Sequence, residues 1–192
     1  MSTTKIGVLA LQGAVREHIQ HIDALEASGI AIKWPNELKE VAGLIIPGGE
    51  STTIGKLMVE YGFIEAIRDF HATGKPIYGT CAGMILLAKK ITEGDQPLLS
   101  LMDIEARRNA FGRQRESFEA ELDIKDVGHR FKAVFIRAPW IENVSKNVKI
   151  MAEFGNIKVM ARQGNLLASA FHPELTGDLR IHKYFLGMVK EA

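Results

Sequence analysis

A single cysteine, Cys81, stands among 192 residues, so an internal disulfide is excluded. That suits a reducing compartment and sets the expectation of a cytoplasmic protein. Charge of one sign is also missing, since 24 basic residues face 23 acidic ones for a net charge of +1. No global field then draws the chain to nucleic acid or to a membrane surface. Long apolar runs are absent, none approaching the roughly 18 residues that cross a bilayer. The N-terminal KIGVLALQGAVREH has only a short one, ended by Gln12, Arg16 and Glu17, without the long apolar region and cleavage site of a signal peptide. Internal repeats, low-complexity segments and linkers are missing too. What is present, 46% hydrophobic and 24% charged residues, suffices for one ordinary core. The expectation is one domain over residues 1–192.

Strand and helix signals alternate through the first half. The aliphatic run 5–11 predicts a strand buried on both faces. After Gly13, Val15, Ile19, Ile22 and Leu25 recur at helical spacing, with Gly29 placed as the helix-ending glycine. IAIKW and VAGLII predict two further strands, and Ser51 an N-cap for a helix through Ile54, Leu57 and Met58. A helix over 63–73, the strand PIYGT and a helix from Ala82 to Lys90 follow. The second half reads as closely spaced strands (FEAELDI, FKAVFI, VKIMAEF, IKVMARQ, LLASAF), closed by a helix carrying Ile181, Tyr184, Phe185, Met188 and Val189. The fold class expected is α/β, a three-layer arrangement with a mostly parallel central sheet, helices on both faces and an antiparallel extension in the C-terminal half.

Ligands of such sheets bind beyond the carboxyl ends of the strands, and three loops there carry chemistry. PGGES (47–51) has two glycines that let backbone N–H groups approach a ligand, or it is simply a turn. GTCAG (79–83) puts Cys81 between small residues at a strand-to-helix turn, the spacing of a nucleophile elbow. The helix that begins there favours a thiolate, and the Ala82 N–H points where an oxyanion forms. FHPEL (171–175) holds His172 extended ahead of Pro173, so that Glu174, two residues on, faces the same way and fixes the imidazole tautomer. Each loop alone has a structural reading, and a lone cysteine is ordinarily a small buried hydrophobe. Together they supply the nucleophile, base, orienting acid and oxyanion donors of acyl transfer. His18 and His21, one helical turn apart with no third ligand, read as a solvated face, and no metal site is expected. The basic stretch RRNAFGRQR (107–115) reads as anion recognition at a site.

These loops resemble the class I, triad-type glutamine amidotransferases. The stretches LALQGAVREH (9–18), LIIPGGESTT (44–53), RNAFGRQ (108–114), FIRAPWI (135–141) and SAFHPELTGD (169–178) are similar to the glutaminase subunits of pyridoxal 5'-phosphate synthase, in order and over nearly the whole chain. Trp140 stands where a smaller aromatic is expected. The resemblance implies a Cys81–His172–Glu174 triad that hydrolyses L-glutamine, an oxyanion hole from Gly49 and Ala82, and glutamine binding by Gly49, Glu50, Ser51, Arg108, Ile136 and Arg137. It further implies a (β/α)8-barrel synthase partner in a large hetero-oligomer, with Gln12 and Gly13 rearranging when the partner docks. No cofactor is implied, because pyridoxal phosphate is that complex's product. The rival readings are a glutaminase serving histidine, purine or aminobenzoate synthesis, a cysteine peptidase or stress-type α/β protein, and a non-catalytic binding module.

Overall fold

The computed structural model describes residues 3–111 and 116–192. Its first half runs β1 (Lys5–Leu9), α1 (Val15–Asp23), β2 (Ser28–Ile32), β3 (Gly43–Ile46), α2 (Ser51–Glu60), α3 (Phe63–Ala72), β4 (Ile77–Thr80) and α4 (Ala82–Leu87). Then come β5 (Ala88–Ile91), β6 (Met102–Arg107), β7 (Ser117–Ile124), β8 (Gly128–Ile136), β9 (Trp140–Val144), β10 (Lys149–Phe154), β11 (Ile157–Gln163), β12 (Leu166–Ser169) and α5 (Arg180–Glu191).

The aliphatic runs become the parallel part of one large sheet, ordered β2-β1-β3-β4-β12. All four residues of β3 and of β4 are buried, as strands covered on both faces must be. The antiparallel extension continues β12-β11-β9-β6, with β10 on β11, and β5 closes the edge parallel to β6. β7 and β8 form a separate two-stranded ribbon. Helices flank both faces. A Cβ on Gly43 would point at Val189 and Phe185 of α5, whereas Ile46, of opposite parity on the same strand, faces α4. The expected α/β sheet with its antiparallel C-terminal half is therefore the observed one.

Local boundaries differ in instructive places. β1 stops at Leu9 rather than residue 11. Gly29 does not end α1 but lies in β2, where a Cβ would sit 3.0 Å from the Ile19 Cα; the left-handed residue of that turn is Glu26, at φ +60°. The N-cap of α2 is Glu50, not Ser51, because the Glu50 carboxylate accepts from the Thr53 N–H at 3.1 Å. The helix expected to reach Lys90 ends at Leu87, and residues 88–91 pair with β6 instead. The loop that follows accounts for the stop, since the Leu99 and Leu101 N–H groups donate to the Leu86 and Leu87 carbonyls that end the helix. β6, β9 and a 3-10 turn at Pro35–Glu40 went unpredicted, although β6 alternates buried and half-buried residues along its length.

The loops after β1, β3, β4 and β12 leave the carboxyl ends of four neighbouring strands, so the sheet order itself gathers them.

Candidate active site

The turn from β4 to α4 holds Cys81 at φ +49° and ψ −104°, a conformation that costs a non-glycine residue about 1–3 kcal/mol. The surroundings impose it. The Cys81 N–H still donates to the Ser169 carbonyl of β12 at 2.8 Å, while α4 starts at the next residue. Both flanking glycines are needed for contact, as the elbow spacing predicts. A Cβ on Gly79 would lie 2.5 Å from the Gly83 carbonyl, and a Cβ on Gly83 would lie 2.0 Å from the Ile46 carbonyl oxygen. The Cys81 sulfur is nearly buried, 4.0 Å from the Ile136 carbonyl oxygen.

His172 leaves β12 at φ −108°, non-helical as expected before proline. The segment does not stay extended, however. Pro173–Leu175 winds into a 3-10 turn, because proline's fixed φ suits the first position of a helical turn. The turn still brings Glu174 back under the ring, with Oε1 2.7 Å from His172 Nδ1. This leaves Nε2 as the ring's other nitrogen, and Glu174 is buried behind it. Burial alone would lower His172, but hydrogen bonding and charge at Cys81 and Glu174 outweigh it and raise it to about 10. A raised imidazole retains a proton taken from the thiol until a leaving group needs it.

One cavity of about 500 Å³ collects Gln12, Gly13, Gly49, Glu50, Ser51, Cys81, Ala82, Arg108, Ile136, Arg137 and His172. Every residue singled out from the sequence lines it except Glu174, which stands behind His172. Ile85, Asn109 and Pro139 complete the wall. Across its mouth Arg108 Nη2 lies 3.8 Å from Glu50 Oε1. Glu50 is held below the usual carboxylate range: its partial burial opposes this, and hydrogen bonds from Thr53 and Thr52 with the Arg108 charge prevail. The Ser51 hydroxyl donates to Gln96 Oε1 at 3.1 Å. Gln12 reaches over the PGGES loop, its Oε1 accepting the Glu50 N–H at 2.7 Å. Gly13, at φ +104°, packs so closely that a Cβ there would meet the Gly48 carbonyl oxygen at 1.7 Å.

Two features escaped the sequence reading. Gly48 is the floor under His172, since a Cβ would fall 2.4 Å from the ring's Cε1. His18 and His21 are not a solvated face: His18 is fully buried, His21 nearly so, and both contact His182. Their burial is legible only from what α5 lays over α1. Of the basic stretch, Arg107 is turned away to Glu142 at 2.9 Å, and Arg108 alone among its described arginines lines the cavity. Residues 112–115, with Arg113 and Arg115, lie outside the described residues. Trp140 has its size accommodated by an edge contact to Phe111 and an indole N–H donated to Glu142 at 2.7 Å. Among the described residues no group of three or more His, Cys, Asp or Glu side chains is placed to hold a metal ion, and no helix is long and apolar enough to cross a membrane.

A strained cysteine and a carboxylate-backed histidine lining one cavity form the arrangement that amide cleavage through a thiol requires. More narrowly, the chain belongs to the SNO glutamine amidotransferase family, whose model matches residues 8–191. It is 57% identical over 188 residues to the pyridoxal 5'-phosphate synthase subunit PdxT of Niallia circulans, covering 98% of this chain and 99% of that one. The subunit of the same name from Moorella thermoacetica is 58% identical over 186 residues, covering 96% and 99%. A crystal structure described as a glutamine amidotransferase superposes with a TM-score of 0.93 at 45% identity, covering 96% of this chain and 98% of that one.

Proposed function

We propose that this chain is the glutaminase subunit of a pyridoxal 5'-phosphate synthase, hydrolysing L-glutamine through a γ-glutamyl thioester on Cys81. The observation that carries the mechanism is the elbow cysteine in the same cavity as the 2.7 Å His172–Glu174 pair. His172 takes the thiol proton, and the sulfur attacks the side-chain amide carbonyl. The backbone N–H groups of Gly49 and Ala82 receive the oxyanion; the Ala82 donor is free by its place at the first turn of α4. Collapse breaks the C–N bond, the proton on His172 leaves with ammonia, and water then cleaves the thioester to release glutamate. Glu174 orients His172 and stabilises its charged form. Gly49, Glu50, Ser51, Arg108, Ile136 and Arg137 bind the glutamine. Its α-carboxylate calls for a guanidinium and its ammonium for a carboxylate or carbonyls, both of which the cavity offers.

The ammonia passes to a (β/α)8-barrel synthase subunit in a large hetero-oligomer. Gln12 and Gly13 couple the two subunits. The Gln12 amide oxygen holds the N–H of the Gly49–Glu50 peptide, so docking that moves Gln12 frees the loop carrying an oxyanion donor. Glutamate release, assayed with and without the barrel subunit, tests this reading, and strong stimulation by the partner is expected. Gln12→Ala is expected to fold normally yet lose most of the partner-stimulated rate. Unchanged stimulated turnover in that variant contradicts the coupling. Release that ignores the pyridoxal phosphate synthase barrel but responds to a synthase of histidine or purine formation contradicts the assignment.

A further inference from the structure

Glu174 has two carboxylate oxygens, and the mechanism above uses one. Oε1 meets His172, while Oε2 is buried with no hydrogen-bond partner among the described residues. The group facing it is His18 of α1, whose Nε2 lies 3.5 Å from Oε2 and 3.3 Å from the Thr80 hydroxyl, with both side chains of the His18–Glu174 pair fully buried. Behind His18 the contacts continue in series. His18 Nδ1 is 2.9 Å from His182 Nε2, and His182 Nδ1 is 3.1 Å from His21 Nδ1.

The carboxylate fixes the direction of this series. An ionised carboxylate only accepts, so the proton of His18 belongs on Nε2 and its Nδ1 carries the lone pair. Nδ1 then accepts from His182 Nε2–H, which leaves the His182 Nδ1 lone pair to accept from His21 Nδ1–H. Reversing any one ring would set two lone pairs, or a lone pair and a carboxylate oxygen, against each other. The titratable groups around His18 are His21 on its own helix, Glu174 and His172 beside the 3-10 turn, and His182 on α5. Further out, Tyr78 of β4 is hydrogen-bonded to Ser169 with its ring near His182, and Asp178 lies close enough to His21 to feel its charge while paired with Arg180.

We propose that His18 is a positioning residue for glutamine hydrolysis: its Nε2–H, oriented by His182 and His21, holds the second oxygen of Glu174 and so keeps Oε1 aimed at His172. Burial first, and repulsion among the imidazoles second, keep His18 well below 6.5 and take His182 down to about 3. The two inner rings therefore remain neutral and the series keeps its direction through the physiological range.

The inference rests on the glutaminase reading, and its test separates the two. Glutamate release by the complex with the barrel subunit is followed against pH for wild type, His18→Leu, His18→Gln and His182→Phe, with thermal melts alongside. Leucine fills the space without a donor, whereas the glutamine amide places an N–H near the site of Nε2. His18→Leu is expected to lose about 10- to 100-fold in kcat/KM near neutrality, the worth of a hydrogen bond to a charged group. Its alkaline limb is expected to move to lower pH, because a His172 imidazolium less well held by Glu174 gives up its proton sooner. His18→Gln restores most of the rate and returns the limb, and His182→Phe, which frees the His18 tautomer, moves the limb part of the way. If His18→Leu does not fold, the Gln and Phe variants carry the same comparison. A pH profile unmoved in the folded variants, with losses tracking melting temperature alone, overturns the positioning role. A wild-type complex that releases no glutamate brings down the glutaminase reading and this inference with it.

Discussion

Cys81→Ala is expected to abolish glutaminase activity, with the partner-stimulated rate falling by at least about 10⁴, while the protein stays folded. Alanine retains the Cβ and occupies the same φ of +49° at the same backbone strain, so nothing but the sulfur is lost. The cavity, His172 and the backbone donors remain, and glutamine still binds. A second substitution isolates the strain itself. Cys81→Gly, equally inactive, is expected to be more stable than Cys81→Ala by about 1 kcal/mol, because glycine adopts a positive φ without penalty. Paired measurements of glutamate release and denaturant unfolding check both points. An alanine variant that keeps even a tenth of the rate assigns the chemistry elsewhere, and a glycine variant no more stable than alanine removes the strain from the description.

Gly83→Ala is expected to be strongly destabilising. The added Cβ would stand 2.0 Å from the Ile46 carbonyl oxygen and 2.9 Å from its carbon, both backbone atoms at the end of a fully buried strand. A side chain could rotate away, but β3 can only be displaced. We expect a loss of about 3 kcal/mol, at the upper end of overpacking effects, and with it a fall of about 6–12 °C in Tm. Displacing α4 also moves Ala82 and Cys81, so turnover should fall by about 100-fold even where the protein is folded. Gly187→Ala supplies the contrast: it lies within α5 with open space around the added methyl, and it is expected to stabilise by about 0.5–1 kcal/mol. Calorimetry on the two variants decides. A Gly83→Ala protein melting like wild type means that the helix does not rest against β3 as described.

The parts of the site legible in the sequence were those whose physics is local. Gly79 and Gly83 could be read as an elbow because a sharp strand-to-helix turn demands small residues at that spacing, wherever the chain then goes. His172 and Glu174 are two residues apart, so their pairing survived even though the segment winds into a 3-10 turn rather than staying extended. Gly48 reads in the sequence only as one of two glycines admitting a ligand, because its stronger need for glycine comes from His172, 124 residues later, pressed against its Cα. The burial of His18 and His21 was hidden for the same reason. Their spacing on α1 is that of any helical surface, and only α5, which carries His182, turns that surface into an interior. Ser51 gave way to Glu50 as N-cap because a carboxylate one residue earlier reaches the Thr53 N–H. The parallel half of the sheet followed from continuous aliphatic runs, while β5 was absorbed into a helix because AKKI continues the preceding pattern without a break.

Acylation of Cys81 is the event on which everything above depends, and intact-mass analysis after rapid acid quench observes it. The protein, saturated with the proposed barrel subunit, is mixed with glutamine and quenched during the first turnover, before water has cleared the thioester. A mass increase equal to one γ-glutamyl group, located on the peptide containing Cys81, sensitive to hydroxylamine and absent from Cys81→Ala, is the result expected. Glutamate formed at the full rate with no adduct on Cys81 at any quench time, or an adduct that persists in the alanine variant, would contradict it.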